Sequence, residues 1–308
     1  MKSPILSLLL LAAVACARPK AEAVAAVNEP VATAAVADVE YQQADSLEVV
    51  SLLADSAKQT TLDFARHFMG RPYVAYTLDG YYKAGARPDA EHLVVNLREF
   101  DCLTFLETCN ALAMTRAQLS TTPGLNVWDA YCSNLQTLRY FGGVEDGYLS
   151  RIHYLSMSIA DHLERGTMQE VELPEKTTRP RTTVINYMTQ HPSSYFALKN
   201  NPDLVAPLAE LEQRYSNQSM RYLPQDNCGL PQQQLKAIHD GDILYIVTSK
   251  DGLDYSHQGF AFWGKDGRLH MLHASSAKKQ VIADPLTLEA YLKGISTNIG
   301  VRVFRLKY

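Results

Sequence analysis

The chain has no excess of basic charge. Its 29 lysines and arginines stand against 33 aspartates and glutamates, for a formal net charge of −4 over 308 residues. Without a basic run there is no electrostatic grip for a phosphate backbone, so nucleic acid is not an expected partner. The chain also lacks any apolar run, after its first residues, of the roughly 20 residues that span a bilayer. No internal repeat is apparent either. Cysteine is sparse, with five residues. Cys102 and Cys109 fall on one expected helix, ~10 Å apart along its axis. A disulfide needs Cα atoms within about 7 Å, so these two cannot pair. Cys109 and Cys132 read as small core residues, and a bridge between them is open but unforced.

What is present begins with the N-terminus. Lys2 is followed by an apolar stretch from Ile5 to Leu11, then Ala12-Ala13-Val14-Ala15 and Cys16. This layout is that of a secretory signal over residues 1–16. Small residues directly before a cysteine also resemble a bacterial lipoprotein signal, in which Cys16 is lipidated. Ordinary cleavage nearby, with Cys16 incidental, is the alternative. The expectation is an exported protein of the periplasm or cell envelope, touching membrane only through such an anchor. Residues 17–45 are rich in Ala, Val, Glu and Pro, with no aromatic before Tyr41. Such a stretch cannot offset its ordering entropy and reads as a disordered tether. Residues 46–308 then form the folded domain, on which any chemistry must lie.

Helical spacing over residues 46–69 predicts one helix ending at Gly70. Gly70-Arg71-Pro72-Tyr73 then leads into extended chain. Leu93-Val94-Val95 reads as a strand, and helices are expected over 102–114, 126–138 and 153–163. Thr177-Thr178-Arg179-Pro180-Arg181-Thr182-Thr183 reads as an exposed loop, and 184–215 as helix in pieces. The last third turns to β-rich runs at 243–247, 257–263, 269–273 and 301–306, with Asp266-Gly267 as a hairpin turn and Asp284-Pro285 as a further turn. Helices first and a meander later predict an α+β domain.

One cysteine has a chemical context. Cys102 opens an apolar helix, where backbone partial positive charge favours a thiolate. His257 opens a strand on which His257, Gly259, Ala261 and Trp263 share one face, and the small residues leave room for a packed helix. His273 ends the partner strand, close enough to hold the ring of His257. Nucleophile, base and orienting group then occur in the order of a thiol hydrolase. A zinc site from His257, His270 and His273 is the rival. His270 and His273 match no HExxH helix, and residues three apart on a strand face opposite sides. No metal or other cofactor is therefore expected.

Phe100-Asp101-Cys102-Leu103-Thr104-Phe105, Tyr255-Ser256-His257-Gln258-Gly259 and Leu272-His273-Ala274-Ser275-Ser276 resemble the catalytic blocks of NlpC-type papain-like cell-wall hydrolases. Gly70-Arg71-Pro72-Tyr73-Val74-Ala75 resembles their preceding G-x-P-Y segment. More narrowly, Pro72-Tyr73-Val74-Ala75 with Thr77-Leu78, the Phe-Asp-Cys block and Ser150-Arg151-Ile152-His153-Tyr154 are similar to the N-acetylmuramoyl-L-alanine amidase-like family. The likeness covers nearly all of residues 55–308. The usual D-C-S-G block of the superfamily reads Asp101-Cys102-Leu103-Thr104 here, as in the amidase-like branch. The resemblance implies a papain-like fold and a peptidoglycan or muropeptide substrate. It implies Cys102 as nucleophile, His257 as base and His273 as orienting residue, with Tyr73 binding substrate or polarising its carbonyl. Arg151 and His153 become candidates either for substrate contact or for a structural role at a helix start. The bond that the resemblance implies is the muramoyl–L-alanine amide; a D-glutamyl–diamino acid endopeptidase and a non-catalytic peptidoglycan-binding module are the alternatives.

Overall fold

The computed structural model describes residues 36, 38–87 and 91–307. The expected signal segment, Cys16 and residues 17–35 of the expected tether lie outside them. The tether's last residues are structured. Strand β1 (Val39–Glu40) pairs in parallel with β2 (Leu93–Val94), and Tyr41 packs on Trp128 with ring centroids 4.7 Å apart. Asp45 is fully buried, accepting from the Leu97 N–H at 2.9 Å and from Arg98 Nε at 3.3 Å. Folded chain thus begins ahead of residue 46.

The single helix expected over 46–69 is two helices, Gln43–Ala54 and Thr61–His67. Thr60 restarts the second: its hydroxyl accepts from the Asp63 N–H at 3.2 Å while Asp63 accepts from the Thr60 N–H at 3.0 Å. Reciprocal capping of this kind outweighs an apolar period that runs on across the break. The helix expected to end at Met114 runs from Cys102 to Thr121. Every side chain from Thr104 to Thr115 is buried, as in a helix surrounded by protein. It packs on the helix Val127–Arg139, whose N-cap Asn126 accepts from the Trp128 and Asp129 N–H groups. Cys109 and Cys132 are buried free thiols, so the bridge left open is not formed.

The remaining strands are β3 (Met168–Glu170), β4 (Arg179–Thr183), β5 (Gln218–Pro224), β6 (Ile243–Thr248), β7 (Tyr255–Trp263), β8 (Leu269–Ser275), β9 (Gln280–Ala283) and β10 (Asn298–Leu306). They form an eight-stranded sheet in the order β4-β5-β10-β6-β7-β8-β9, with β3 also on β10. Every pairing in it is antiparallel. The segment expected as a loop around Pro180 is strand β4, in register from Arg179 opposite Tyr222 to Thr183 opposite Gln218. Its threonines suit a pleated surface, and Pro180 is tolerated because β4 ends the strand order.

The chain is therefore mixed α+β, with helices first and an antiparallel sheet in its C-terminal part. Alternation along the strands sends Tyr245, Val247, Phe260, Leu272 and Phe304 into one core with the Cys102–Thr121 helix, where Phe105 meets Phe260 with ring centroids 5.7 Å apart. Leu244, Ile246, Ala261, Met271 and Val303 face a second core with Leu288 and Leu292 of the helix Leu288–Lys293. The room beside Ala261 thus serves this late helix and not the one that Cys102 opens.

Candidate active site

The Asp-Cys-Leu-Thr run explains itself once the helix start is seen. Asp101 is the N-cap; its Oδ1 accepts from the Thr104 N–H at 2.8 Å, and Thr104 Oγ1 accepts from the Asp101 N–H at 3.1 Å. The two residues flanking Cys102 and Leu103 close the capping box, which fixes Cys102 as the first helical residue. A cap of this type contributes about 1 kcal/mol, and here it also sets where the thiol points.

Strands β7 and β8 bring the histidines together. His257 Nε2 and His273 Nδ1 are 2.6 Å apart, with the rings edge to face at 4.8 Å between centroids. Gly259 permits this closeness: a Cβ there would lie 2.6 Å from Met271 Cγ and 2.9 Å from His273 Cβ. His273 is 1% exposed, and its Nε2 faces Asp284 Oδ2 at 3.2 Å. Tyr291 lies edge-on to the His273 ring at 5.3 Å and tilted to that of His257 at 6.3 Å.

A cavity of about 170 Å³ joins Cys102 and His257, walled by Ile152, His153, Tyr255 and Gln258 and reaching Glu107. His153 accordingly sits at the site; its Nε2 donates to the Tyr148 carbonyl at 2.9 Å. Burial and then the charge of Arg151 push its pKa down to about 3, so it is a neutral group. Arg151 does not line that cavity. It is buried, ion-paired to Asp79 at 2.6 Å and near Glu91 at 3.7 Å, with Tyr148 beneath its guanidinium. Those partners hold the loop around Leu78 against the segment that carries His153. Tyr73 is partly buried and bridges to Phe100 just before the helix; its pKa is raised to about 12 by burial and by the nearby Cys102 and Asp101.

The electrostatics differ from the expected easily ionised thiol. Burial first, then the Asp101 charge, push Cys102 up to about 12, against the backbone N–H groups of Cys102, Gln258 and Leu103 that favour its thiolate. Burial and then His273 push His257 down to about 3. Burial thus favours the neutral thiol and the neutral imidazole over an ion pair, against the pull of the helix terminus. Iodoacetamide alkylation of Cys102, followed by peptide mass spectrometry, should therefore rise steadily between about pH 6 and 9, since only thiolate reacts. A plateau in that range would mean a preformed ion pair.

Sequence reasoning missed Asp284 and Tyr291. Asp284 was legible only as a turn before Pro285; the β8–β9 hairpin, which opposes His273 to Ile282, is what delivers it. Its Oδ1 accepts from the Leu286 N–H at 2.9 Å. Burial opposes its ionisation, but the bonds from His273 and Leu286 and the Lys278 charge hold its carboxyl below the ordinary range. Among the described residues no cluster could hold a metal ion. His270 is turned to Asp266 and to the backbone carbonyl of Asp284, whereas His273 takes the Asp284 carboxylate.

An α+β protein with a capped thiol, a bonded histidine pair and a carboxylate at one end of its sheet is thus the class to be matched. The chain belongs to the N-acetylmuramoyl-L-alanine amidase-like family, which it matches over residues 63–299. It is similar to an N-acetylmuramoyl-L-alanine amidase from Bacteroides uniformis, with 34% identity and a TM-score of 0.70 over 82% of this chain and 100% of that one. A Bacteroides fragilis protein carrying a provisional xylanase name is 35% identical, with a TM-score of 0.69 over 79% of this chain and 99% of that one. A Legionella pneumophila protein, LPG0564, shares the fold at 21% identity and a TM-score of 0.62, over 86% of this chain and 94% of that one. No curated protein sequence matches.

Proposed function

We propose that this protein is a cysteine amidohydrolase of NlpC-type, papain-like design that cleaves the amide between N-acetylmuramic acid and L-alanine in peptidoglycan or muropeptides. The observation that carries the reading is the cavity shared by Cys102 and His257, with His257 bonded in turn to His273. As substrate enters, His257 takes the Cys102 proton while sulfur attacks the lactyl carbonyl. The Cys102 backbone N–H, at the helix start where no intrahelical carbonyl takes it, is the donor for the developing oxyanion. The C–N bond then breaks, the L-alanine nitrogen leaves with the proton from His257, and water hydrolyses the thioester. Tyr73 and His153 flank the carbonyl.

The provisional xylanase name does not carry over. Glycoside hydrolysis commonly uses two carboxylates across the bond. Among the residues lining this cavity Glu107 is the one carboxylate, and it is locked 2.9 Å from Arg139.

Mass spectrometry of defined muropeptides after incubation tests the bond assignment. Free stem peptide plus intact sugar supports the amidase. Cleavage inside the stem would replace it with the D-glutamyl–diamino acid endopeptidase, and unchanged muropeptide that nevertheless binds would leave a binding module. The protein is further proposed to be exported and held at the envelope through lipidated Cys16. Cys16→Ser should then move it from the membrane to the soluble fraction, whereas an unchanged distribution would refute the anchor.

A further inference from the structure

The histidine pair poses a question of proton placement. His257 Nε2 is committed to His273 Nδ1, so Nδ1 is the nitrogen of His257 left for Cys102. A base must present that nitrogen without its proton. A single ring cannot choose its own tautomer; the group bonded to the other nitrogen chooses it. His273 faces the same choice, and beyond it lies Asp284.

We infer that Asp284 is the positioning residue that sets both tautomers and thereby makes His257 a base at Nδ1. The carboxylate is acceptor-only, so the 3.2 Å contact with His273 places a proton on His273 Nε2. Neutral His273 is then an acceptor at Nδ1, and the 2.6 Å contact requires His257 to donate from Nε2. His257 Nδ1 keeps its lone pair. Tyr291 packs on both rings and holds their planes. When His257 takes the Cys102 proton, its positive charge forms next to His273, whose far nitrogen already donates to the carboxylate.

The second oxygen of Asp284 makes the claim sharp. Oδ1 accepts from the Leu286 N–H at 2.9 Å. An asparagine there would keep its oxygen on Leu286 and turn its NH2 to His273. That NH2 demands an acceptor at His273 Nε2, which moves the His273 proton to Nδ1, makes His257 Nε2 the acceptor and puts a proton on His257 Nδ1. The base would be blocked by one isosteric change with no loss of volume. Asp284→Ala removes the carboxylate without imposing the wrong tautomer and should cost less.

This inference rests on Cys102 as nucleophile and His257 as base, but its first test does not depend on turnover. Long-range proton–nitrogen correlation spectra of histidine-labelled wild type should show His257 and His273 both protonated at Nε2 only. In Asp284→Asn both should shift to the Nδ1–H form, with stem-peptide release falling roughly 100- to 10,000-fold, the scale of a wrong-tautomer base. Asp284→Ala should lose less than Asp284→Asn. His257 protonated at Nδ1 in the wild type, His273 carrying both protons, or Asp284→Asn keeping wild-type tautomers would each overturn the assignment. Failure of Cys102-dependent hydrolysis with the expected spectra would instead count against the proposed function and leave the proton placement standing.

Discussion

Cys102→Ala should lower stem-peptide release by at least about 1,000-fold, the scale seen when a nucleophile that acts as a unit with its base is removed. The fold should be unaffected. Cys102 is the first helical residue and not the cap; the cap is Asp101 with Thr104, both untouched. Alanine is the best helix former, so the helix loses no propensity. Circular dichroism and thermal melting of the variant should overlay the wild type, which separates loss of chemistry from loss of structure. Serine at the same position should be nearly as poor. The neutral His257 that accepts a thiol proton has far less driving force against a hydroxyl, even though the site geometry is retained.

The largest effect on stability is expected at Arg139. It is 2% exposed, and its Nε donates to Glu107 Oε2 at 2.9 Å while Nη1 donates to the Val94 carbonyl at 2.6 Å. Arg139→Met fills similar space but leaves a buried carboxylate alone. Breaking one side of a buried ion pair in this way costs about 3–5 kcal/mol. For a protein of this size the melting temperature should fall on the order of 10 °C. Adding Glu107→Gln removes the orphaned charge and should restore part of the loss; an additive double variant would show that the pair is not coupled. Glu107 also lines the cavity at Cys102, so an unpaired charge there would further oppose thiolate formation.

Much of the site was legible from residue order. The Asp-Cys-Leu-Thr run marked a helix start because capping is local, needing four consecutive residues. The β-branched runs of β6 and β10 and the Asp266-Gly267 turn were legible for the same reason. What escaped was non-local. Strand β4 looked like a loop because only its pairing with β5 (Arg181 opposite Met220) makes a proline- and threonine-rich run a strand. Asp284 looked like a turn residue because its role depends on hairpin register. Tyr291 carries no local signal, since it reaches the histidines by the packing of Leu288 and Leu292 beneath the sheet. Arg151 shows the converse: a charged side chain in a resembling block lies buried among Asp79, Glu91 and Tyr148. Helix-terminal polarity at Cys102 is visible in the sequence, whereas the burial that pushes its thiol up is not.

The measurement that bears most directly on the central claim is product analysis of a defined disaccharide-peptide incubated with wild type and with folded Cys102→Ala in parallel. Free stem peptide beginning at L-alanine, formed by the wild type and absent with the variant, is the predicted result. Stem-peptide release that persists in Cys102→Ala would contradict a thioester at Cys102, whatever the fold.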